Sequence, residues 1–108
     1  MTVNELSKLD NFTAVNISDG ERKINGVYCG DLLSWVMGRA EADDAWITIM
    51  SNVNIIAVAS LSDVSCIILS ENVEIDDETA KIALQKQINI LKTSLTTYEA
   101  SVFLSKVI

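Results

Sequence analysis

Three apolar runs of strand length, rich in isoleucine and valine, lie in the middle of the chain. They cover residues 46–49, 55–59 and 66–69, and short polar stretches separate them. Their apolar character is nearly continuous rather than alternating, which is typical of strands that are buried on both faces of a sheet. Together with a fourth run at residues 88–91, they are predicted to form the central strands of a sheet that helices cover on both sides.

Helical patterns flank these runs. Apolar residues that share one face predict a helix over residues 32–40, with Asp31 as its N-cap. Asp76 is predicted to be the N-cap of a second long helix. Thr96 and Glu99 have the spacing of a capping box and predict the start of a last helix. Thr2 and Glu5 have the same spacing near the beginning of the chain.

Strands and helices alternate along most of the sequence. Shorter strands are predicted at residues 12–17 and 27–29. Because the alternation continues after residue 27, the sequence predicts one α/β domain, residues 1–108, built around a mixed and largely parallel sheet.

Composition and charge narrow the function classes. The hydrophobic fraction of 49% is high for a chain of 108 residues, so some apolar surface is expected to be covered by a second copy, and a homodimer is predicted. The net charge of −7 argues against binding to nucleic acid or to an anionic membrane surface. No apolar run approaches the ~20 residues of a membrane span and no signal peptide is recognised, so a cytoplasmic location is predicted.

The residues that carry most enzyme chemistry are scarce. The chain has no histidine, and it therefore lacks the commonest general base and the commonest metal ligand. It has two cysteines. Cys29 and Cys66 are predicted to be reduced thiols, with Cys66 in the core. One hypothesis is that Asp31 and Glu99 act as an acid–base pair. The positions of both residues are, however, explained by their location at predicted helix starts. No catalytic residue, metal or cofactor is therefore predicted.

Polar residues follow several of the predicted strands. Open α/β sheets bind ligands outside the carboxyl ends of their strands, and hydroxyl groups beside a helix N-terminus suit an uncharged or mildly anionic ligand. The candidate ligand-binding residues are Gly30, Asp31, Ser60, Thr93, Thr96 and Thr97. Each of them can also be explained as a cap or turn residue.

Five segments of the sequence resemble the DRTGG-domain family. They read GVYCGDLLS, AWITI, NIIAVAS, IIL and LTTYEA, and they follow one another in order between residues 2 and 106. The resemblance implies a three-layer α/β/α sandwich with a mixed, largely parallel sheet, like the N-terminal domain of HPr kinase/phosphorylase. It also implies a regulatory or ligand-sensing module. The string that names the family is absent, and so is the G-x-x-x-x-G-K-[ST] phosphate loop that a kinase of this kind uses.

Two interpretations of function remain in view. The leading one is a non-enzymatic regulatory or ligand-sensing module that forms a homodimer and binds a small molecule such as an adenine nucleotide. The alternative is a protein-interaction subunit that has no small-molecule ligand. An enzyme is the least favoured class.

Overall fold

A five-stranded mixed sheet forms the centre of the computed structural model, which describes all 108 residues. The strands are β1 (Thr13–Asn16), β2 (Gly26–Cys29), β3 (Asp44–Thr48), β4 (Cys66–Leu69) and β5 (Ile90–Lys92). Their order across the sheet is β1-β5-β4-β3-β2. Strands β2 to β5 run parallel, while β1 pairs antiparallel with β5 and forms one edge.

Helices cover both faces of this sheet. They are α1 (Val3–Ser7), α2 (Leu33–Arg39), α3 (Asn54–Ser62), α4 (Asp77–Lys86) and α5 (Thr97–Val107). Helices α2, α3 and α4 connect successive parallel strands, and right-handed crossovers in one direction along a sheet place them on the same face. Helices α1 and α5 pack on the other face. The predicted three-layer α/β/α architecture is confirmed. None of the five helices combines the length and the apolar character needed to cross a lipid bilayer.

The core consists of two clusters of eleven buried residues, one on each side of the sheet. Strand β3 contributes Ala45 and Ile47 to the side of α1 and α5, and Trp46 to the side of α2, α3 and α4. Successive side chains of a strand point to opposite faces. Both sides of a covered strand are therefore buried and favour apolar residues, which explains the continuous runs Ala45–Ile47 in β3 and Cys66–Leu69 in β4.

The prediction of a strand at residues 55–59 is wrong, because this segment lies in α3. Strands β3 and β4 are neighbours and parallel, so the chain between them must cross over the sheet, and α3 makes this crossover. The buried residues of α3 recur with helical spacing: Ile55, Ile56, Val58, Ala59 and Ser62. The outward positions Ala57 and Leu61 are apolar as well, and they hide that spacing in the sequence.

The predicted helix caps have mixed outcomes. Asp76 accepts a hydrogen bond from the backbone N–H of Thr79, and the capping boxes that begin at Thr2 and Thr96 are both formed. Asp31 does not cap α2, because Leu32 occupies the N-cap position and makes no side-chain hydrogen bond there.

The strand predicted at residues 88–91 begins two residues later, as β5.

Candidate functional site

The carboxyl ends of β2 to β5 lie along one edge of the sheet, which we call the carboxyl edge (residues 30–31, 48–52, 70–72 and 93–97). Five of the six candidate residues belong to it: Gly30, Asp31, Thr93, Thr96 and Thr97. The sixth, Ser60, lies in the last turn of α3. Since α3 ends before β4 begins, Ser60 is at the opposite edge of the sheet, and no site at the carboxyl edge includes it.

Gly30 and Asp31 tie the end of β2 to the end of β3. The carbonyl oxygen of Gly30 accepts a hydrogen bond from the Trp46 indole at 2.9 Å, and a Cβ atom at this position would lie 2.9 Å from the Tyr28 ring. Oδ1 of Asp31 accepts hydrogen bonds from the Thr48 hydroxyl at 2.8 Å and from the Ile49 backbone N–H at 2.9 Å. Asp31 therefore organises the turn after β3.

A second group of polar residues joins the end of β4 to the start of α5. The hydroxyl groups of Ser70 and Thr97 are 2.8 Å apart, and Ser70 is fully buried. The backbone N–H of Thr97 donates to Oε2 of Glu71 at 2.9 Å. The Thr96 hydroxyl accepts from the Glu99 N–H at 3.1 Å. The hydroxyl groups of Thr96 and Thr97, which are predicted to bind a ligand, are thus already hydrogen-bonded within the chain, to the Glu99 backbone and to Ser70 respectively.

Helix α5 connects these two groups. The Cys29 thiol, at the end of β2, lies 3.0 Å from the hydroxyl of Ser101, one turn after Thr97. Helix α5 therefore reaches from the end of β4 to the end of β2. Both ends of the carboxyl edge are held to the same helix, which makes the edge a connected structure.

The carboxylates at and next to this edge are hydrogen-bonded to the protein itself. Hydrogen bonds from the backbone N–H and side chain of Thr96 hold the pKa of Glu99 below its usual range. Asp31 is bound to Thr48 and Ile49 instead, so no hydrogen bond brings Asp31 and Glu99 together. An acid–base pair needs both groups within reach of the same reacting atom. We therefore assign these carboxylates to capping and turn formation.

A small cavity of about 170 Å³ lies at the carboxyl edge, beside the end of β5. Its lining is entirely polar and consists of Asp10, Asn11, Thr13, Asn72, Lys92, Thr93 and Ser94. The Lys92 ammonium group at its wall pairs with Glu74 at 2.9 Å. Of the candidate residues only Thr93 lines this cavity, so the six do not share one pocket.

A polar cluster at the opposite edge could not be found from the sequence. Arg22 donates from Nε and Nη2 to Oδ1 of Asp43 at 3.0 and 2.9 Å, and Nη2 also reaches Oδ1 of Asp63 at 2.9 Å. Burial lowers the pKa of the Arg22 guanidinium, but the hydrogen bonds that it donates to Asp43 and Asp63 outweigh this, so that the pKa lies above its usual range. Asp43 and Asp63 lie in the left-handed region, with φ of 69° and 56°. These residues are 21 and 41 positions from Arg22, and no local pattern links them.

The sheet with its two helical layers defines a three-layer α/β domain with a polar carboxyl edge. The family model of the DRTGG domain matches residues 12–107, so the chain belongs to the DRTGG domain family.

The fold is similar to that of a solved structure. This is the crystal structure of the CBS and DRTGG domains of the regulatory region of Clostridium perfringens pyrophosphatase, complexed with its activator, diadenosine tetraphosphate. The TM-score is 0.67 at 20% sequence identity, and the match covers 94% of this chain and 49% of that chain. The present chain thus spans about half the length of this structural neighbour. No functionally curated protein matches the sequence.

Proposed function

We propose that this chain is a non-enzymatic regulatory module that binds an adenine nucleotide at the carboxyl edge and forms a homodimer. Its membership of the DRTGG family carries the proposal. A DRTGG domain forms part of the pyrophosphatase regulatory region whose complex contains an adenine dinucleotide. The carboxyl edge is where an open α/β sheet commonly receives such a ligand.

The cavity beside β5 supports a particular mode of binding. Its neutral donors, Asn72, Thr93 and Ser94, suit a phosphate or ribose group, and Lys92, which pairs with Glu74, is the cation at its wall. Its volume of about 170 Å³ takes only part of a nucleotide. The remainder would lie beside the exposed residues Ser94 and Thr96.

The carboxylates favour a module without catalysis. Glu99 and Asp76 cap helices and Asp31 holds a turn, so each has a structural role that explains its position. The chain also has no phosphate loop of the G-x-x-x-x-G-K-[ST] type. A bound nucleotide should therefore be released unchanged.

Thermal-shift measurements and equilibrium dialysis with AMP, ADP, ATP and diadenosine tetraphosphate test the proposal. A ligand that binds only the folded state raises the melting temperature, and we expect at least one of these compounds to do so. After incubation with Mg²⁺, the nucleotide should be recovered chemically intact. The absence of binding to all four compounds would contradict the proposal, and turnover would contradict the non-enzymatic part of it.

Three single-charge variants locate the ligand. Asp10 lines the cavity, so Asp10→Asn should strengthen the binding of an anionic nucleotide by a factor of about 2 to 5. Asp31→Asn removes the same charge at the far end of the edge, three strands away, where screening makes the effect small. Glu41→Gln, at the opposite edge, is the control for net charge. A response to Asp31→Asn alone would place the ligand beside β2 instead.

A protein-interaction subunit is the second candidate function. The observation in its favour is a groove of about 540 Å³ between α3 and α4, away from the carboxyl edge. Five of its eight lining residues are hydrophobic. Nucleotide binding and assembly can be measured separately, so the two candidates are distinguishable.

A further inference from the structure

The side of helix α3 that faces outward is uncharged and partly apolar, since its exposed residues are Asn54, Ala57, Ser60 and Leu61. The helix contains no charged residue, whereas four of the ten residues of the neighbouring α4 are charged. Leu61 is 72% exposed, and Val53, which precedes the helix, is 43% exposed. A helix in the outer layer of a sandwich normally shows solvent a polar face. The composition of α3 is that of a helix covered on both sides.

The exposed residues form a straight stripe beside a groove. Val53, Ala57 and Leu61 are spaced by four positions and so lie one above the other on the helix. Together with Ile56 and Ile82 they form the apolar wall of the groove between α3 and α4. We call Val53, Ala57 and Leu61 the α3 stripe.

We propose that the α3 stripe is the contact surface of a homodimer in which two copies pack α3 against α3 in antiparallel orientation about a twofold axis. This inference rests on the homodimer in the proposed function and assigns its interface. Ala57 is the middle residue of the stripe and would lie at the axis, where its small side chain lets the two helices approach closely. Val53 of each copy would then meet Leu61 of the other.

The charges of α4 are self-complementary in this arrangement. Helices α3 and α4 run in the same direction, because each connects one parallel strand to the next. The acidic residues Asp77 and Glu78 are at the start of α4 and Lys86 is at its end. None of the three forms an ion pair within the chain. A twofold axis that reverses α3 also reverses α4, and brings Glu78 of one copy toward Lys86 of the other.

The size of the molecule is consistent with such an interface. The molecule measures 30 × 26 × 25 Å, so one whole face presents on the order of 700 Å², close to the ~800 Å² that each partner contributes to a standard interface. The stripe lies on the central helix of its layer, with α2 and α4 on either side. The apolar residues would thus be at the centre and the charged residues at the rim, as in stable protein interfaces.

Sedimentation of two matched variants tests the assignment. Leu61→Glu places a charge in the stripe and should convert the dimer to a monomer at micromolar concentration. Tyr98→Glu is the control, because Tyr98 is 76% exposed but lies on α5, at the other face of the sheet. A wild-type protein that remains monomeric would overturn the homodimer itself. A dimer that survives Leu61→Glu and is lost in Tyr98→Glu would overturn only the interface and place it on α5.

Charge reversal tests the orientation. Glu78→Lys and Lys86→Glu should each weaken the dimer on the order of fivefold, because rim ion pairs contribute modestly, and the double variant should recover the wild-type affinity. Weakening by the single variants without recovery in the double variant would overturn the antiparallel arrangement.

A cross-link tests the position of the axis. In a Cys29→Ser background, Ala57→Cys should form a covalent dimer on mild oxidation, whereas Ser105→Cys on α5 should not. Failure of Ala57→Cys to cross-link in a protein that sediments as a dimer would overturn the placement of Ala57 at the axis.

Discussion

Single buried polar residues in this domain are satisfied in very different degrees. The amide of Asn89, which is 4% exposed, accepts from the backbone N–H groups of Ser18 and Asp19 and donates to the carbonyls of Asp19 and Ser65. It fixes the loop after β1 against the start of β4. The hydroxyl of Ser62, at the end of α3, is buried without any hydrogen-bond partner. Burial of an unpaired hydroxyl lowers the stability of the folded state.

Ser62→Ala should therefore stabilise the protein. Removing the unpaired hydroxyl and introducing a better helix former should raise the free energy of unfolding by about 1 kcal/mol. Ser60→Ala is the matched control, because Ser60 is exposed on the same helix and gains only the helix-propensity part, about 0.5 kcal/mol. Denaturant unfolding measures both. A lower stability of Ser62→Ala than of wild type would show that the hydroxyl is engaged in solution.

At the scale of secondary-structure elements, most of the fold could be predicted because local patterns determine it. The capping residues Thr2, Asp76 and Thr96 mark helix starts through hydrogen bonds to residues three positions away, so their signal is contained in a short segment. The strands of the sheet centre were recognised by continuous apolar runs. The sequence of α3 predicts a strand because Ala57 and Leu61 on its outward side are apolar too, and the same two residues belong to the proposed contact surface.

The positions of the candidate site residues are predicted less well, because each position depends on whether its segment is assigned correctly as a strand or a helix. Five of its residues were placed at the carboxyl edge correctly, since they follow true parallel strands or begin α5. Ser60 was misplaced with the helix that contains it. Arg22 and its partners Asp43 and Asp63 were missed, because their contact joins three loops that are distant in sequence. Short sequence patterns therefore predict which residues lie at the carboxyl edge. The cavities there depend on how distant segments pack together, which short patterns do not determine.

The carboxylates at three helix starts predict how the stability responds to acid. Hydrogen bonds from the N–H groups of Thr2, Thr79 and Thr96 lower the pKa of Glu5, Asp76 and Glu99, respectively. A carboxyl group with a lowered pKa in the folded state stabilises the fold above its unfolded pKa, and this contribution is lost as the pH falls through the folded pKa. The melting temperature should thus decrease on acidification from about pH 6 to about pH 3.

Glu99→Gln provides the comparison for this prediction. The amide oxygen of glutamine can still accept from the Thr96 N–H, but it does not titrate. The variant should be less stable than wild type at neutral pH, and the difference should shrink as the pH falls. A constant difference between the two melting curves across the acid range would contradict a titrating cap at the start of α5.

At the scale of the whole molecule, negative charges outnumber positive ones, whereas the proposed contact surface, the α3 stripe, contains no charged residue. The net charge is −7, and the structure contains ion pairs only at Arg22, with Asp43 and Asp63, and at Lys92, with Glu74. The excess negative charge is therefore mostly unpaired and repels itself in the compact state. Two copies would approach each other most readily through a surface that lacks charge, as the α3 stripe does.

Added salt should consequently stabilise the folded chain. Increasing NaCl from about 20 mM to about 300 mM shortens the screening length from about 20 Å to about 6 Å, and this weakens the repulsion among unpaired carboxylates more than it weakens three exposed or half-exposed ion pairs. We expect a gain of about 1 kcal/mol, or about 4–8 °C in melting temperature.

The measurement belongs in the monomeric Leu61→Glu variant, so that assembly does not contribute. Adding Glu41→Gln to it lowers the net negative charge and should reduce the gain. A melting temperature that falls with salt would mean that the Arg22 cluster outweighs the repulsion.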